Sequence, residues 1–345
     1  MILKALLRFL RSTVCVNLAP LASHPDALNR KGVLDEERYR ELITKESKHW
    51  GEVQPDPQNP QIWHDQQLFE IFFGKRYRHL IERAIACGPK VLELGCGEGN
   101  LAIELAQRGL HVTAVDLSAD RIQRATLKAR QSSVSHQPMF LADDLNTMTL
   151  PTATFDCVVA HDSLHHILNL DRLCNEVQKT LKPSGSFLVM DFTGMGVVRR
   201  ILAAFLYAML PTYQPYHVKW RLRHRLSGFL AGESKKRAAL QEGSQAVLHH
   251  DSPFEEISQG SIVREISKRF AVVAHFTFCP FWYYFAARVR WPKRLKYSAA
   301  RLLRGLDNLI LDLHLAKGAY FFLEACNSQP STWNPDLEAL DLKLF

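Results

Sequence analysis

Apolar and polar positions follow two different periods along this chain, and the places where one gives way to the other lay out the fold. Asp35 to Trp50 is charged and helical in spacing, with Asp35 placed to cap it. Prolines 55, 57 and 60 then break the chain. Asp65 to Cys87 carries Leu68, Phe69, Phe72, Phe73, Leu80, Ile81 and Ile85, much of it three or four apart, which predicts a helix. Beyond it, short apolar runs alternate with helical patterns. Strands are predicted at 91–94, 111–115, 139–141, 155–160 and 187–191, and helices at 101–108, 119–130 and 170–181. This alternation predicts an α/β fold: a doubly wound, mostly parallel sheet joined by right-handed crossovers, with helices on both faces.

Residues 195–257 interrupt the alternation. They are helical in pattern, basic and aromatic, contain Pro211, Pro215 and Pro253, and are expected to form a helical lid over the top of the sheet. A helix resumes at 262–270. Strands follow at 271–278 and 319–326, around one broken helix or two within 281–315. The long helical connection between these late strands permits antiparallel pairing and brings the sheet to seven strands. The expected organisation is an N-terminal helical extension (1–86), a core (87–194), the lid (195–257), the C-terminal part of the core sheet (258–327) and a tail (328–345).

Composition bounds this picture without changing it. At 345 residues, 47% hydrophobic and 23% charged, the chain can bury a sizeable core without disulfides or a structural metal. Its seven cysteines are odd in number and form no CxxC pair, which argues against a disulfide framework or a zinc site and favours a reducing, cytoplasmic compartment. The net charge of +8 is spread over the first eleven residues and the stretches 217–237 and 288–304. Such an excess suits nucleic acid or an anionic membrane surface, and charge alone does not choose. Residues 1–18 set Lys4, Arg8 and Arg11 beside Leu3, Leu6, Leu7 and Leu10 at helical spacing. That is the pattern of an interfacial helix making peripheral membrane contact, and equally of an amphipathic helix packed on the protein. It is too short and too charged to span a bilayer.

Candidate chemistry sits at the ends of the predicted strands. Glu93-Leu-Gly-Cys-Gly-Glu-Gly99 follows a strand and opens a helix, so its glycines fall where a turn is tight and where backbone can approach a ligand. Its GxGxG spacing differs from the GxGxxG of dinucleotide enzymes. Asp116 ends the next strand, where a carboxylate can accept both hydroxyls of a ribose, or cap the following helix. Ala142-Asp-Asp-Leu-Asn146 follows the third strand and His161-Asp-Ser-Leu-His-His166 the fourth; Leu181-Lys-Pro-Ser-Gly185 reads as a tight turn before the fifth.

Together these segments resemble the class I S-adenosylmethionine-dependent methyltransferases. VLELGCGEG is similar to that family's first motif, VDLS to its second-strand acid, FDCVVAHDSLHHI to its fourth strand and LKPSGSFLVMDF to its fifth. The likeness is close over 90–194 and looser over 262–326. It implies a Rossmann-like methyltransferase fold with S-adenosyl-L-methionine as cofactor. Glu93, Gly95, Cys96, Gly97 and Gly99 would line the methionine part, and Asp116 and Leu117 the ribose. Asp143, Asp144 and Leu145 would approach adenine, and His161 would lie near the methyl group. The family usually has Gly-Asp before the adenine contact; here Ala142 precedes two acids, and the DLN pattern points to Asp144.

For an oxygen nucleophile, His161, Asp162, His165 and His166 are the candidate catalytic bases. Adjacent His165 and His166 are expected to point different ways, one to substrate and one into packing. No metal is expected, because no cysteine or acid completes a set with His161, His165 and His166. Most of the lid's aromatic residues are expected to form the lid's own core; the rest, with its basic residues, suggest a small-molecule or lipid-like acceptor. DSPFEEISQGSIVREI is similar to bacterial methyltransferases of polysaccharide and secondary-metabolite pathways, and quinone biosynthesis fits the same acceptor class. A nucleic-acid methyltransferase is a rival reading. Against it, no RNA-binding module and no Asn-Pro-Pro-Tyr or Pro-Cys catalytic sequence is present. The other rival is a non-catalytic scaffold, which the intact glycine turn with Asp116 disfavours.

Overall fold

The computed structural model describes residues 36–221, 252–292 and 294–328. The predicted 1–18 helix, the middle of the lid and the tail after 328 lie outside these residues.

The alternating strands form one seven-stranded sheet in the order β3-β2-β1-β4-β5-β7-β6. The strands are β1 Lys90–Leu94, β2 His111–Asp116, β3 Met139–Ala142, β4 Phe155–His161, β5 Leu181–Phe192, β6 Ala271–Phe278 and β7 Tyr320–Cys326. The first five pair in parallel. β7 inserts antiparallel between β5 and β6, as its long helical connection permits. The helices are α1 Glu36–Glu52, α2 Gln66–Phe69, α3 Lys75–Cys87, α4 Asn100–Gln107, α5 Ala119–Arg130, α6 Leu170–Thr180, α7 Val197–Met209, α8 Tyr216–Arg221, α9 Ile262–Ser267, α10 Tyr283–Arg288 and α11 Lys296–Asp312. A π turn at Glu70–Gly74 joins α2 to α3, so the predicted 65–87 helix is one element with an internal irregularity that buries Phe72 and Phe73.

Alternate residues of each strand feed opposite faces. Val91, Cys157, Val159, Leu188 and Met190 pack with Phe72 and Phe73 of the π turn, Leu80 of α3, and Leu101 and Leu105 of α4. Leu92, Leu94, Val158, Ala160 and Val189 pack with Leu173 and Val177 of α6 and Ile262 and Ile266 of α9. Period-two burial on both faces is what a sheet covered on both sides requires. The chain divides into compact units at Asp35, and the part from Glu36 onward forms the second. Residues 36–86 belong to this second unit, and their Phe72, Phe73, Leu80 and Ile81 pack in its core.

The Lys182-Pro-Ser-Gly185 turn lies inside β5. Its register against β4 shifts between Phe155 and Cys157, and Ser184 takes the left-handed conformation at φ 61°. Strand order reverses between β1 and β4. Their carboxyl ends therefore open the crevice in which α/β sheets bind ligands.

Candidate functional site

Three glycines follow β1, each at positive φ. Their roles differ. A Cβ at Gly95 would come within 2.4 Å of the Ser163 side chain, and one at Gly99 within 2.8 Å of the Phe140 ring. Both therefore serve packing between strand ends and helix. Gly97 is the open position: a Cβ there meets nothing nearer than the Arg121 guanidinium at 3.6 Å. The buried Ser163 hydroxyl donates to the Leu94 carbonyl at 2.7 Å and ties the end of β4 to the end of β1.

Asp116 ends β2 with both oxygens engaged. Oδ2 accepts from the Gly97 N–H at 2.8 Å and Oδ1 from the Ser118 N–H at 2.9 Å. Each carboxylate oxygen keeps a further lone pair, so the pair can still receive two vicinal hydroxyls. The helix-capping alternative belongs to Ser118, whose hydroxyl accepts from the Arg121 N–H at the start of α5. Glu93 is buried under the turn with Oε2 unpartnered. Burial, reinforced by Asp116, pushes its carboxyl up to about 8.

After β3 the two acids part. Asp144 faces its own turn: Oδ1 accepts from the Asn146 backbone and side-chain amides at 2.9 and 3.0 Å, and Oδ2 accepts the Tyr39 hydroxyl. Asp143 stays exposed at the strand end, and Leu145 is buried in the core. Both oxygens of Asp144 are thus engaged by the protein, whereas the exposed Asp143 accepts the Asp144 N–H at 2.7 Å through Oδ1.

β4 ends at His161, whose Nε2 is buried without a partner. Burial lowers its pKa to about 4, against the pull of Asp191, so the ring is neutral at physiological pH. Tyr77 and Trp63 surround it, with centroids at 5.3 and 6.4 Å, and Tyr320 and Phe192 continue the aromatic wall. Asp162 follows in a left-handed conformation at φ 53°.

His165 and His166 depart from the expectation that adjacent residues diverge. A short 3-10 turn, Leu164–His166, rotates them onto one side, with ring centroids 4.2 Å apart. His165 Nδ1 lies 2.6 Å from Asp191 Oδ1. Burial alone would lower the His165 pKa, but Asp191 prevails and lifts it to about 10. Asp191 is fully buried and also accepts from the Ser163, Leu164 and Phe192 N–H groups.

Sequence reasoning passed over Asp191, although a carboxylate inside the apolar run LVMDF is a signal, because a buried charge requires partners. It also passed over α1. That helix lies across the strand ends: Tyr39 reaches Asp144 after β3, Ser47 the Leu117 carbonyl after β2, and Glu46 the His166 ring after β4. Trp50 of the same helix carries the Arg121 guanidinium 4.7 Å from its ring centroid and meets His166 edge-on at 5.1 Å. Glu46 also receives the Trp50 indole, the Ser252 hydroxyl and the Phe254 N–H. Burial would raise its pKa, but His166 and these donors hold it below the usual carboxylate range.

Residues 92–189 match a family model described as a methyltransferase domain. Over these residues the chain is similar to methyltransferase domains. It is similar to a sterol 24-C-methyltransferase of Gibberella zeae, 34% identical over 120 residues, or 34% of this chain and 32% of that protein. It is also similar to an uncharacterized methyltransferase of Mycobacterium bovis, 36% identical over 118 residues, or 34% of this chain and 57% of the other. The matched segment is thus about a third of the sterol enzyme's length. Among solved structures, geranyl diphosphate C-methyltransferase from Streptomyces coelicolor superposes with a TM-score of 0.47 at 14% identity, over 83% of this chain and 98% of that one. The domain's matched span runs from β1 to β5, the part of the sheet that positions the glycine turn, Asp116 and the histidines.

Proposed function

We propose that this protein transfers the methyl group of S-adenosylmethionine to a small, lipid-like acceptor. The observation that carries the reading is the Gly97–Asp116 pair at the strand-order reversal of a methyltransferase domain. The residues fit the cofactor on their own terms: Gly97 leaves a cradle without a Cβ, Asp116 retains two acceptor positions, and Glu93 keeps an orphaned carboxyl oxygen beneath the turn. When bound, the cofactor supplies an electrophilic methyl on a sulfonium. Asp116 would hold the ribose, Gly97 would let the backbone close on the ligand, and the exposed Asp143 would receive the adenine amino group. The protein's remaining task is to align the acceptor and exclude water. The aromatic wall of Trp63, Tyr77, Phe192 and Tyr320 suits an apolar acceptor, and His161, neutral beside it, can take a proton from an acceptor hydroxyl.

The named activities of two relatives support the same class: the sterol enzyme above, and a 27-O-demethylrifamycin SV methyltransferase of Amycolatopsis mediterranei, 30% identical over 109 residues. A lipid-like acceptor also gives purpose to a peripheral membrane contact through residues 1–18, which is part of this proposal. The test is calorimetry with S-adenosylhomocysteine, followed by incubation with methyl-labelled cofactor and a lipid and metabolite extract. Binding with label in a lipid-soluble product supports the reading. Absence of binding overturns it, and label in added RNA alone would turn it toward nucleic acid.

A further inference from the structure

The densest cluster of titratable side chains lies just beyond β4. His165 Nδ1 faces Asp191 at 2.6 Å and His166 Nδ1 faces Glu46 at 3.2 Å. With both Nδ1 atoms turned to buried carboxylates, both Nε2 atoms turn to the same third one. His165 Nε2 lies 4.0 Å from Glu255 Oε1, and His166 Nε2 lies 3.7 Å from Glu255 Oε2. The three groups each offer an atom within 4.8 Å of the others.

We propose that His165, His166 and Glu255 form a binding site for one divalent transition-metal ion of the zinc type. Two imidazoles and a carboxylate are a recurrent ligand set for such ions, and leave a coordination position open. Tetrahedral bonds of about 2.0–2.1 Å place ligand atoms roughly 3.3 Å apart, so the gaps of 4.0 and 3.7 Å, which run to the two different oxygens of Glu255, must shorten and converge on one of them when an ion binds. His165 already has what a ligating histidine ordinarily has, a carboxylate bonded to its other nitrogen that orients the ring, and His166 has the Glu46 carboxylate 3.2 Å from its Nδ1. Nitrogen ligands favour this class of ion over Mg2+, which prefers oxygen and water.

The chain builds this arrangement from distant segments. Ser252 and Phe254 are bonded to Glu46, and Ser258 donates its N–H to the His165 carbonyl at 3.1 Å and its hydroxyl to the Ile167 carbonyl. These bonds fasten the Glu255 turn onto the histidine turn. Glu256 and Asp162, which flank the cluster, both hold left-handed backbone at φ 57° and 53°. Strain of that kind persists where the surroundings over-determine it, and it gathers at functional sites. The ion's use rests on the methyltransferase reading: with a coordination position open, it would bind an acceptor oxygen and lower that oxygen's pKa for methylation. Metal binding itself does not depend on that reading.

The test is elemental analysis and Zn2+ titration against a chromophoric chelator on the full-length protein stripped with EDTA, with visible spectra after Co2+ loading. We expect one ion per chain, Zn2+ or Co2+ bound at least a hundredfold more tightly than Mg2+, and at least a tenfold loss of affinity in Glu255→Gln and His166→Ala. Glu255 is about one-third exposed, at 34%, so its substitution tests the site even where a buried histidine variant fails to fold. Glu46→Gln should weaken metal binding 10- to 100-fold by releasing the His166 ring. His136→Ala, which removes one of the exposed surface histidines His111 and His136 whose rings lie 4.0 Å apart, should leave the affinity unchanged. No tight ion in wild type, or equal affinity in Glu255→Gln, overturns the metal site. Calorimetry with S-adenosylhomocysteine on the same samples keeps that failure distinct from failure of the cofactor assignment.

Discussion

At the scale of single residues, the cofactor assignment stands or falls on Asp116. Asp116→Ala removes the acceptor of two ribose hydroxyls and also frees the Gly97 and Ser118 N–H groups that shape the turn. Losing charge-assisted hydrogen bonds of this kind costs roughly 1.5–3 kcal/mol, so affinity for S-adenosylhomocysteine should fall about 10- to 150-fold by calorimetry while the protein stays folded. Glu93 gives a second expectation, with a sign that can be worked out. Its carboxyl is pushed from the ordinary 4.5 up to about 8 in the folded protein. Below the ordinary value both states are protonated and stability is whole. As pH rises through the window to about 8, the unfolded chain releases its proton while the folded one keeps it, and stability falls. Glu93→Gln carries no such proton, so in the cofactor-free protein its advantage over wild type should grow from pH 5 to pH 8.5, by an amount on the order of a few kcal/mol. Denaturant unfolding at the two values measures it, and a pH-independent difference would refute it. Residue types and strand ends placed Glu93, Gly97 and Asp116 in the sequence. They could not show that Gly95 and Gly99 serve packing or that Asp144 bonds to Tyr39, because those outcomes depend on which side chain arrives from elsewhere in the chain.

At the scale of elements, periodicity was a good guide wherever a strand or helix buries a regular face. The strands fall within a residue or two of their predicted limits, apart from β5, which begins six residues early because the Pro-Ser-Gly turn lies within its pairing. Function lies in the elements whose roles periodicity does not encode. α1 reads as an ordinary charged helix, yet its Glu46 joins the histidine turn to the segment at 252–254. The pairing of His165 with His166 was equally hidden, because a 3-10 turn brings together neighbours that a strand would send to opposite faces. Glu46→Ala should therefore act across three elements at once, leaving the buried Ser252 hydroxyl and the Phe254 N–H without their acceptor and the His166 ring without its neighbouring carboxylate. The expected destabilisation is about 2–4 kcal/mol, read as a lower denaturation midpoint. Glu46→Gln, which keeps an acceptor oxygen, should recover part of it. Equal midpoints for wild type and Glu46→Ala would mean that α1 is only laid against the site.

At the scale of the whole molecule, the division at Asp35 decides how the membrane proposal can be tested. None of the described helices is long and apolar enough to cross a bilayer. The net charge of +8 favours an anionic surface, but it is spread over the chain and would attract nucleic acid as readily. Residues 1–18 are the segment in which positive charge and an apolar stripe coincide. Lys4, Arg8 and Arg11 are separated by four and three positions, with Leu3, Leu6, Leu7 and Leu10 on a neighbouring face of the helix that this spacing predicts. Each basic residue near anionic lipid contributes about 1 kcal/mol, and three of them with a short apolar face give weak, reversible attachment. Salt should weaken it, because screening at 0.15 M ionic strength reaches down to about 8 Å. Residues 1–18 lie outside the compact unit that begins at Glu36, and cofactor-analogue binding by the truncated protein checks that this unit stays folded. Full-length protein should float with anionic vesicles at low salt and much less at 0.5 M. The truncated protein should stay in the soluble fraction while binding S-adenosylhomocysteine as the full-length chain does. Equal flotation of the two would end the idea that this segment brings the active site to its acceptor.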